Sequence, residues 1–146
     1  MRKTLLSILL LVSSALFATA ASDHDYFVSF DQLPAAAQEF VNTHFPKAQV
    51  VNCVRDSHSY EVRLADASEI EFNVNGVWEE VDCKYREVPA SVVALLPKTV
   101  PAYVNANFPT AIITKVNTKV WGFEVELNNG LEVEFNTAGQ FLKIDD

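Results

Sequence analysis

The sequence repeats itself: shifted by 63 residues, positions 33–83 align with positions 96–146 without a gap. The identical pairs are Leu33/Leu96, Pro34/Pro97, Val41/Val104, Asn42/Asn105, Phe45/Phe108, Pro46/Pro109, Ala48/Ala111, Glu61/Glu124, Val62/Val125, Leu64/Leu127, Glu69/Glu132, Glu71/Glu134, Phe72/Phe135, Asn73/Asn136, Gly76/Gly139 and Asp82/Asp145. A match that extends over the whole unit indicates a tandem duplication. The chain should therefore fold as two versions of one supersecondary unit.

Each repeat begins with a helical segment. In the first repeat, four side chains recur at helical spacing: Ala37, Phe40, Val41 and His44. Pro46 then ends the helix. In the second repeat, Pro101 lacks the N–H that a helix interior needs, so we expect Thr99 to be the N-cap residue. A further short helix should follow Pro89, since proline favours the first turn of a helix.

Alternating apolar and charged residues predict strands at 60–64 and 69–72, and again at 123–127 and 132–135. Only a three-residue loop, Asn128-Asn129-Gly130, keeps all apolar residues of the second hairpin on one face. The Asn-x-x-Gly segments that begin at Asn73 and Asn136 are typical of type I turns and lead into a further strand. We therefore predict an α+β fold of two tandem α+β(4) repeats, each a four-stranded antiparallel sheet with helices on one face.

The predicted register separates a core from a candidate site. Phe72 and Phe135 share the inward face with Ile70 and Val133, so they should occupy equivalent core positions. On the outward face the register places Glu61 opposite Glu71, Arg63 opposite Glu69, Glu124 opposite Glu134, and Glu126 opposite Glu132. Like charges that are directly opposed destabilise a sheet, whereas an opposite pair contributes about 0.2–1 kcal/mol.

These eight outward residues are the candidate partner-binding site. Grouped carboxylates attract a basic partner, and they could also supply the oxygen ligands that Ca²⁺ prefers. Flat strands rarely wrap six to eight ligands around one ion, so calcium binding here would be weak. The alternative to both is a solvated face that only keeps the protein soluble.

The first 20 residues have the form of an export signal. Arg2 and Lys3 are followed by an apolar stretch over residues 4–17, and Ala18-Thr19-Ala20 supplies the pattern that signal peptidase cleaves. The alternative, an N-terminal membrane anchor, is disfavoured because the apolar stretch is short. We expect a periplasmic or secreted protein, without a membrane anchor once the signal is removed. The repeats would then occupy residues 21–86 and 87–146.

Charge and motifs argue against two classes of function. Two of the 11 basic residues lie in the leader, so the mature chain pairs nine basic with 19 acidic residues, a formal charge of −10. A nucleic-acid binder needs clustered Lys and Arg instead. The sequence contains no G-x-S-x-G, H-E-x-x-H, Walker or Rossmann pattern, and its paired carboxylates have no evident pocket. We expect no enzyme activity, no cofactor and no dedicated metal site.

Two cysteines, Cys53 and Cys83, would meet an oxidising compartment after export, which favours a disulfide. On the first and last strands of a four-stranded meander, however, they would lie about 14 Å apart. A bridge needs Cα atoms within about 7 Å. The sequence leaves open a bridge or two buried or half-buried thiols.

The repeated L-P…(Y/F)-V-N…F-P helix, the (Y/F)-E-V-x-L…E-x-E-F hairpin and the N-x-x-G turn, together with the leader, resemble the PepSY-like family. That family is also described as similar to the beta-lactamase inhibitory protein, and the resemblance covers nearly all of the mature chain. It implies an exported tandem protein without enzymatic activity. No inhibitory contact residue carries over, because the shared residues are helix stops, turns and core positions.

Taken with the acidic outward face, these features favour an exported, non-catalytic binding module that engages a protein or peptide through its exposed sheet faces. The alternative is a periplasmic protein that binds a cation or small ligand with the same carboxylates.

Overall fold

The computed structural model describes residues 25–146, so the predicted signal peptide lies outside the described residues. The strands are β1 (Tyr26–Val28), β2 (Val50–Arg55), β3 (Ser59–Leu64), β4 (Glu69–Asn73), β5 (Trp78–Asp82), β6 (Ile113–Lys119), β7 (Gly122–Leu127), β8 (Glu132–Asn136) and β9 (Phe141–Asp145). The helices are α1 (Ala35–His44), α2 (Ala90–Val93) and α3 (Thr99–Asn107), and a short 3-10 turn spans Phe30–Gln32. Each repeat thus has a helix followed by four strands, as predicted.

All nine strands belong to one antiparallel sheet, in which they follow their order along the chain. The predicted grouping into two four-stranded sheets is therefore wrong. β5 and β6 pair, with Val81 opposite Val116, and this pairing joins the two repeats. An edge strand leaves its backbone N–H and C=O groups without partners, and here the last strand of one repeat and the first of the next satisfy each other. The ninth strand, β1, was not predicted and pairs with β2.

One face of the sheet carries the core. A row of residues in register across the strands, here called the apolar row, consists of Cys53, Val62, Ile70, Val81, Val116, Val125, Val133 and Ile144. All but the last are at most 2% exposed. Phe72 and Phe135 are fully buried beside this row, which confirms their predicted inward orientation.

The helices pack against this face in the same way in both repeats. Phe40 of α1 contacts Phe72 edge to face, with ring centroids 5.6 Å apart. Tyr103 of α3 contacts Phe135 in the same geometry at 5.5 Å. Since positions 40 and 103 differ by the repeat length, the duplication in sequence is also a duplication in packing.

Two glycines in the turns after β4 and β8 lie in close contact with the prolines that precede α1 and α3. Gly76 donates its N–H to the Asn73 carbonyl at 2.9 Å and has a φ of +80°, and Gly139 repeats this arrangement with Asn136 and a φ of +78°. A Cβ atom on Gly76 would lie 2.7 Å from Cβ of Pro34, and one on Gly139 would lie 2.5 Å from Cβ of Pro97. Glycine is required here both by the left-handed backbone and by the close approach of the helix.

The start of α3 differs by one residue from the prediction. Lys98 is the N-cap residue and Thr99 is the first helical residue. The Thr99 hydroxyl does not cap the helix, because it donates to the carbonyl of Gly139 at 2.7 Å. Pro101 then falls in the first turn, where its missing N–H has no intrahelical acceptor to lose. The short helix after Pro89 is present as predicted.

Both central hairpins have the predicted three-residue loop. The N–H of Leu127 donates to the carbonyl of Leu131 at 2.9 Å, and Gly130 takes a φ of +87°. In the first repeat, Leu64 pairs with Ser68 in the same way at 2.9 Å, and Ala67 takes a φ of +71°. The loops fix the register that places every charged residue of these strands on one face.

The two cysteines are free and buried, which decides between the two alternatives in favour of thiols. Cys53 lies in β2, where burial raises the pKa of its thiol. Cys83 directly follows β5, and burial raises the pKa of this thiol as well. Neither thiol has the exposed, electropositive surroundings of a reactive cysteine.

Candidate binding face: two rows of charged side chains

The eight residues predicted as the candidate site lie on the sheet face opposite the helices. The structure confirms each predicted pairing: Glu61 with Glu71, Arg63 with Glu69, Glu124 with Glu134, and Glu126 with Glu132. Because β5 and β6 join the repeats, both groups of four belong to one continuous surface.

The register extends these pairs into two rows across the sheet. The first, here called the glutamate row, contains Glu61, Glu71, Glu80, Asn117, Glu124, Glu134 and Lys143. The second, the mixed row, contains Arg63, Glu69, Asp82, Lys115, Glu126, Glu132 and Asp145. Together the rows hold ten carboxylates and three basic side chains. Neighbouring members are separated by the strand spacing of about 4.8 Å.

In the first repeat, basic side chains neutralise much of the mixed row. Arg63 contacts Glu69 at 2.8 Å and Glu61 at 3.1 Å. Lys84, which follows β5, donates to Asp82 at 2.7 Å and to Glu69 at 2.8 Å. Burial alone would lower the pKa of Lys84, but its hydrogen bonds to these two carboxylates raise it above its ordinary value. This ammonium is therefore charged throughout the physiological pH range.

Glu71 has no such partner. It lies between Glu61 and Glu80 in the glutamate row, and within residues 25–146 no basic side chain forms an ion pair with it. Burial raises its pKa above the ordinary value, and the charges of Glu80 and Glu79 raise it further. Folding thus disfavours the ionised form of the Glu71 carboxyl relative to its protonated form.

The second repeat is the more acidic half of the face. Position 126 corresponds to Arg63, so the ion pair of the first repeat is replaced by two facing carboxylates, Glu126 and Glu132. Lys115 is opposite Glu126, yet its ammonium contacts Glu80 at 3.2 Å. At the far end, Lys143 contacts Glu134 at 3.2 Å.

The middle of the glutamate row contains a hydrogen bond instead of an ion pair. Asn117, which is 6% exposed, donates from Nδ2 to Glu124 Oε1 at 3.1 Å. This buried amide sits at the junction of the two repeats, where β6 pairs with β5. It fixes the orientation of one carboxylate without neutralising its charge.

Within residues 25–146, no three His, Cys, Asp or Glu side chains are grouped so that they could hold a metal ion. No helix in the same range is long and apolar enough to cross a membrane.

One concavity of about 320 Å³ borders the face, because Glu126 of the mixed row lines it together with Lys84 and Tyr85. A second groove, of about 170 Å³, is bounded by α2, α3 and the start of β6, and most of the residues that line it are apolar, among them Val88, Val93, Pro101, Val104, Ala111 and Ile113. Glu87 is the charged residue of that lining within the part of the chain described. Among the described residues, this lining contains no His, Lys, Ser or Cys, so Glu87 has no base or nucleophile beside it there.

Six members of the two rows were not among the predicted site residues: Glu80, Asp82, Lys115, Asn117, Lys143 and Asp145. The repeat itself carried a signal for two of them, because Asp82 and Asp145 are an identical pair. The other four depend on the pairing of β4 with β5, of β5 with β6 and of β8 with β9, and no local pattern specified the bulges in the first and last of these pairs or the partner of β5.

Fold and face together define a class: a tandem-repeat α+β protein with a single antiparallel sheet, helices on one side and an open acidic face on the other. The sequence pattern of a family described as "Putative beta-lactamase-inhibitor-like, PepSY-like" matches residues 20–67 and 58–143. The chain belongs to this family.

Solved structures of similar proteins agree with the fold. A protein of Bacteroides vulgatus, described as a "putative periplasmic protein of unknown function", is 36% identical with a TM-score of 0.78, and the match covers 84% of this chain and 100% of that one. A protein of Bacteroides thetaiotaomicron, described as a "putative calcium-regulated periplasmic protein", is 34% identical with a TM-score of 0.78, covering 84% and 97%. A comparison with curated proteins finds no match.

Proposed function

We propose that the protein is an exported, non-catalytic binding protein whose acidic sheet face engages a basic segment of another protein or a basic peptide. The observation that carries the proposal is the pairing of Glu126 with Glu132, at the position where the first repeat has the ion pair of Arg63 with Glu69. Opposed like charges weaken a sheet. A face that retains them at a cost to stability is better explained by binding than by solubility alone.

Two observations support an exported location for the protein. The leader of residues 1–20 has the form of an export signal. The relatives with 36% and 34% identity are both described as periplasmic proteins. The proposal therefore places the protein in the periplasm, or outside the cell.

A macromolecular partner suits the shape of the face better than a small molecule does. The two rows extend over strands β3 to β9, far beyond the concavity beside Glu126, whereas small ligands usually bind within one concave, mostly apolar site. Ten carboxylates against three basic side chains would steer a basic partner to this surface and make association faster at low ionic strength.

Affinity capture from a native periplasmic extract tests the proposal, with the wild-type chain compared with the variant Glu126→Gln/Glu132→Gln. The matched control is Glu39→Gln/Glu87→Gln, which removes the same charge from exposed positions outside the two rows. We expect a partner that the control retains, that the row variant loses, and that high salt releases. Retention of every partner by the row variant would contradict the proposal.

Calcium is the second candidate, supported by the description of the relative from Bacteroides thetaiotaomicron. The carboxylate oxygens of the rows are of the type that Ca²⁺ prefers. A rise in melting temperature with millimolar calcium, reversed by EDTA and absent with magnesium, would favour this candidate. The Glu126→Gln/Glu132→Gln variant should lose the rise if these residues hold the ion. A melting temperature that calcium leaves unchanged would exclude it.

A further inference from the structure

β9 is an edge strand that exposes apolar side chains. Within residues 25–146 it pairs with β8 and with no other strand. Phe141, Leu142 and Ile144 are 42%, 49% and 40% exposed, although Ile144 continues the apolar row that is otherwise buried. Exposed edge strands of this kind are templates for pairing with another strand.

The first repeat contains the same strand in a covered state. By the 63-residue offset β5 is the counterpart of β9, and Val81 is the counterpart of Ile144. In β5 the outer edge is occupied by β6, and Val81 is 0% exposed. The pairing of β6 with β5 therefore shows which residues would fit beside the exposed edge of β9.

A bulge does not prevent this pairing. The register of β9 shifts after Phe135, so that Leu142 has no directly opposed partner, and such bulges can protect an edge. The same shift occurs in β5 after Phe72, and β6 nevertheless pairs with residues 80–82. The corresponding segment of β9 is Lys143–Asp145.

The pairing of β5 with β6 also indicates which residues a strand beside β9 needs. Opposite Val81 stands an apolar residue, Val116, and opposite Asp82 stands a basic residue, Lys115. A strand beside β9 should accordingly place an apolar residue opposite Ile144, a basic residue opposite Asp145, and a residue that complements Lys143.

β9 itself meets all three requirements. If a second copy of the chain is placed antiparallel, with its Ile144 opposite Ile144, then each Lys143 faces the Asp145 of the other molecule. This arrangement has two-fold symmetry and is self-complementary. We propose that β9 is a homodimer interface, in which the edges of two molecules pair through Lys143–Asp145.

The interface is short, so the dimer should be weak and its population should depend on protein concentration. Lys143 already contacts Glu134 and Asp145 in its own chain, and those contacts compete with the ones between molecules. Pairing would continue the sheet of one molecule into the other, with both acidic faces on the same side. Lys143 and Asp145 also belong to the two rows, but the pairing itself needs the backbone edge of β9 and the side chain of Ile144, which the proposed partner binding does not use. A failure of dimerisation would therefore leave the proposed partner binding standing.

Charge-swap variants give the sharpest test, measured by sedimentation equilibrium from micromolar to millimolar concentration. Lys143→Glu alone puts like charges against Asp145 of the other molecule, and Asp145→Lys alone does so against Lys143. Each variant should weaken self-association at least about tenfold. An equimolar mixture of the two should form a heterodimer, because every facing pair is again opposite in charge.

A second comparison targets the apolar contact. Ile144→Lys should abolish the dimer, whereas Val120→Lys should leave it unchanged, since Val120 is fully exposed at the turn between β6 and β7. In the wild-type protein, the backbone amides of residues 143–145 should become more protected from hydrogen exchange as concentration rises. That measurement needs no variant, so it stands even where a variant folds poorly.

Three outcomes would overturn the proposal. The wild-type chain could stay monomeric at every concentration, which would leave the edge to a strand of some other protein. A dimer could persist with Ile144→Lys, which would place the interface elsewhere. The two charge variants could fail to associate when mixed although each is folded and the wild type dimerises.

Discussion

Glu71 on β4 lies directly opposite Glu80 on β5, and on its other side it faces Glu61 on β3. Among residues 25–146, Glu71, the central one of these three carboxylates, forms no ion pair. The raised pKa of Glu71 is the energetic consequence, caused first by burial and then by these neighbouring charges. The unfavourable electrostatic energy of the glutamate row is thus concentrated at Glu71, where a substitution can test it.

Replacing Glu71 by glutamine should stabilise the protein at neutral pH, by a few tenths to about 1 kcal/mol. The folded protein binds a proton at Glu71 more tightly than the unfolded chain does. The stability contributed by this carboxyl is therefore fully present below its unfolded pKa and is lost as pH rises through the raised folded pKa. The gain from the variant should vanish below about pH 4.3. Urea denaturation at several pH values measures this, with Glu39→Gln as control, and a gain independent of pH would contradict it.

The second repeat offers a matched pair of acidic residues. Glu132 faces Glu126 on one side and Asp145 on the other, whereas Glu134 contacts Lys143 at 3.2 Å. Glu132→Gln should raise the free energy of unfolding by a few tenths to about 1 kcal/mol, most at low salt. Glu134→Gln should give no gain, because the relief of its repulsion with Glu124 is offset by the loss of its ion pair with Lys143. Thermal denaturation of both variants at low and high salt measures the two changes in stability. Equal gains would contradict the expected difference between Glu132 and Glu134.

Core truncation should affect the two repeats alike. Phe72→Ala and Phe135→Ala should each lower the free energy of unfolding by about 3–5 kcal/mol, since both rings are fully buried and contact an aromatic ring of the helix. Phe27→Ala is the control, because its ring is 75% exposed, and it should lose much less. A loss under about 1 kcal/mol at both core positions would be inconsistent with this packing.

Two glycines with the same backbone geometry separate conformational strain from close approach. Gly130→Ala should lower stability by about 1–2 kcal/mol, the cost of a left-handed alanine, because no atom of residues 25–146 lies within 4 Å of its added methyl group. Gly139→Ala should lose clearly more, since its methyl group would overlap Pro97 and the Thr99 hydroxyl. Chemical denaturation compares them, and similar losses would mean that the start of α3 moves aside easily.

The hairpins could be predicted from sequence because their determinants are local. Alternation of period two assigned Glu124 and Val125 to opposite faces, and only a three-residue loop kept all apolar residues of that hairpin on one face. The helices followed from apolar spacing and from Pro46, which ends α1. Where a prediction depended on a few neighbouring residues, the structure agrees to within about one residue, as at Thr99.

The single sheet and the full extent of the two rows could not be predicted in this way. A strand pattern tells which side chains share a face, but it does not say which edge pairs with which distant strand. No sequence pattern near Glu80 indicates that Asn117 is its neighbour in the sheet. The ion pair of Lys84 with Glu69 likewise depends on where β5 ends. The partner-binding role of the face stays a prediction.

The connection between β5 and β6 is long although the strands are neighbours. It runs through residues 83–112 and contains α2 and α3, whereas β7 and β8 are joined by a three-residue loop. The entropy of loop closure grows with the logarithm of loop length, so closing a connection about ten times longer is opposed by about 2 kcal/mol more. We expect the hairpins to form first during refolding and the junction of the repeats to form afterwards. Until it does, the chain exposes two further strand edges, and these are the segments most prone to misassociation.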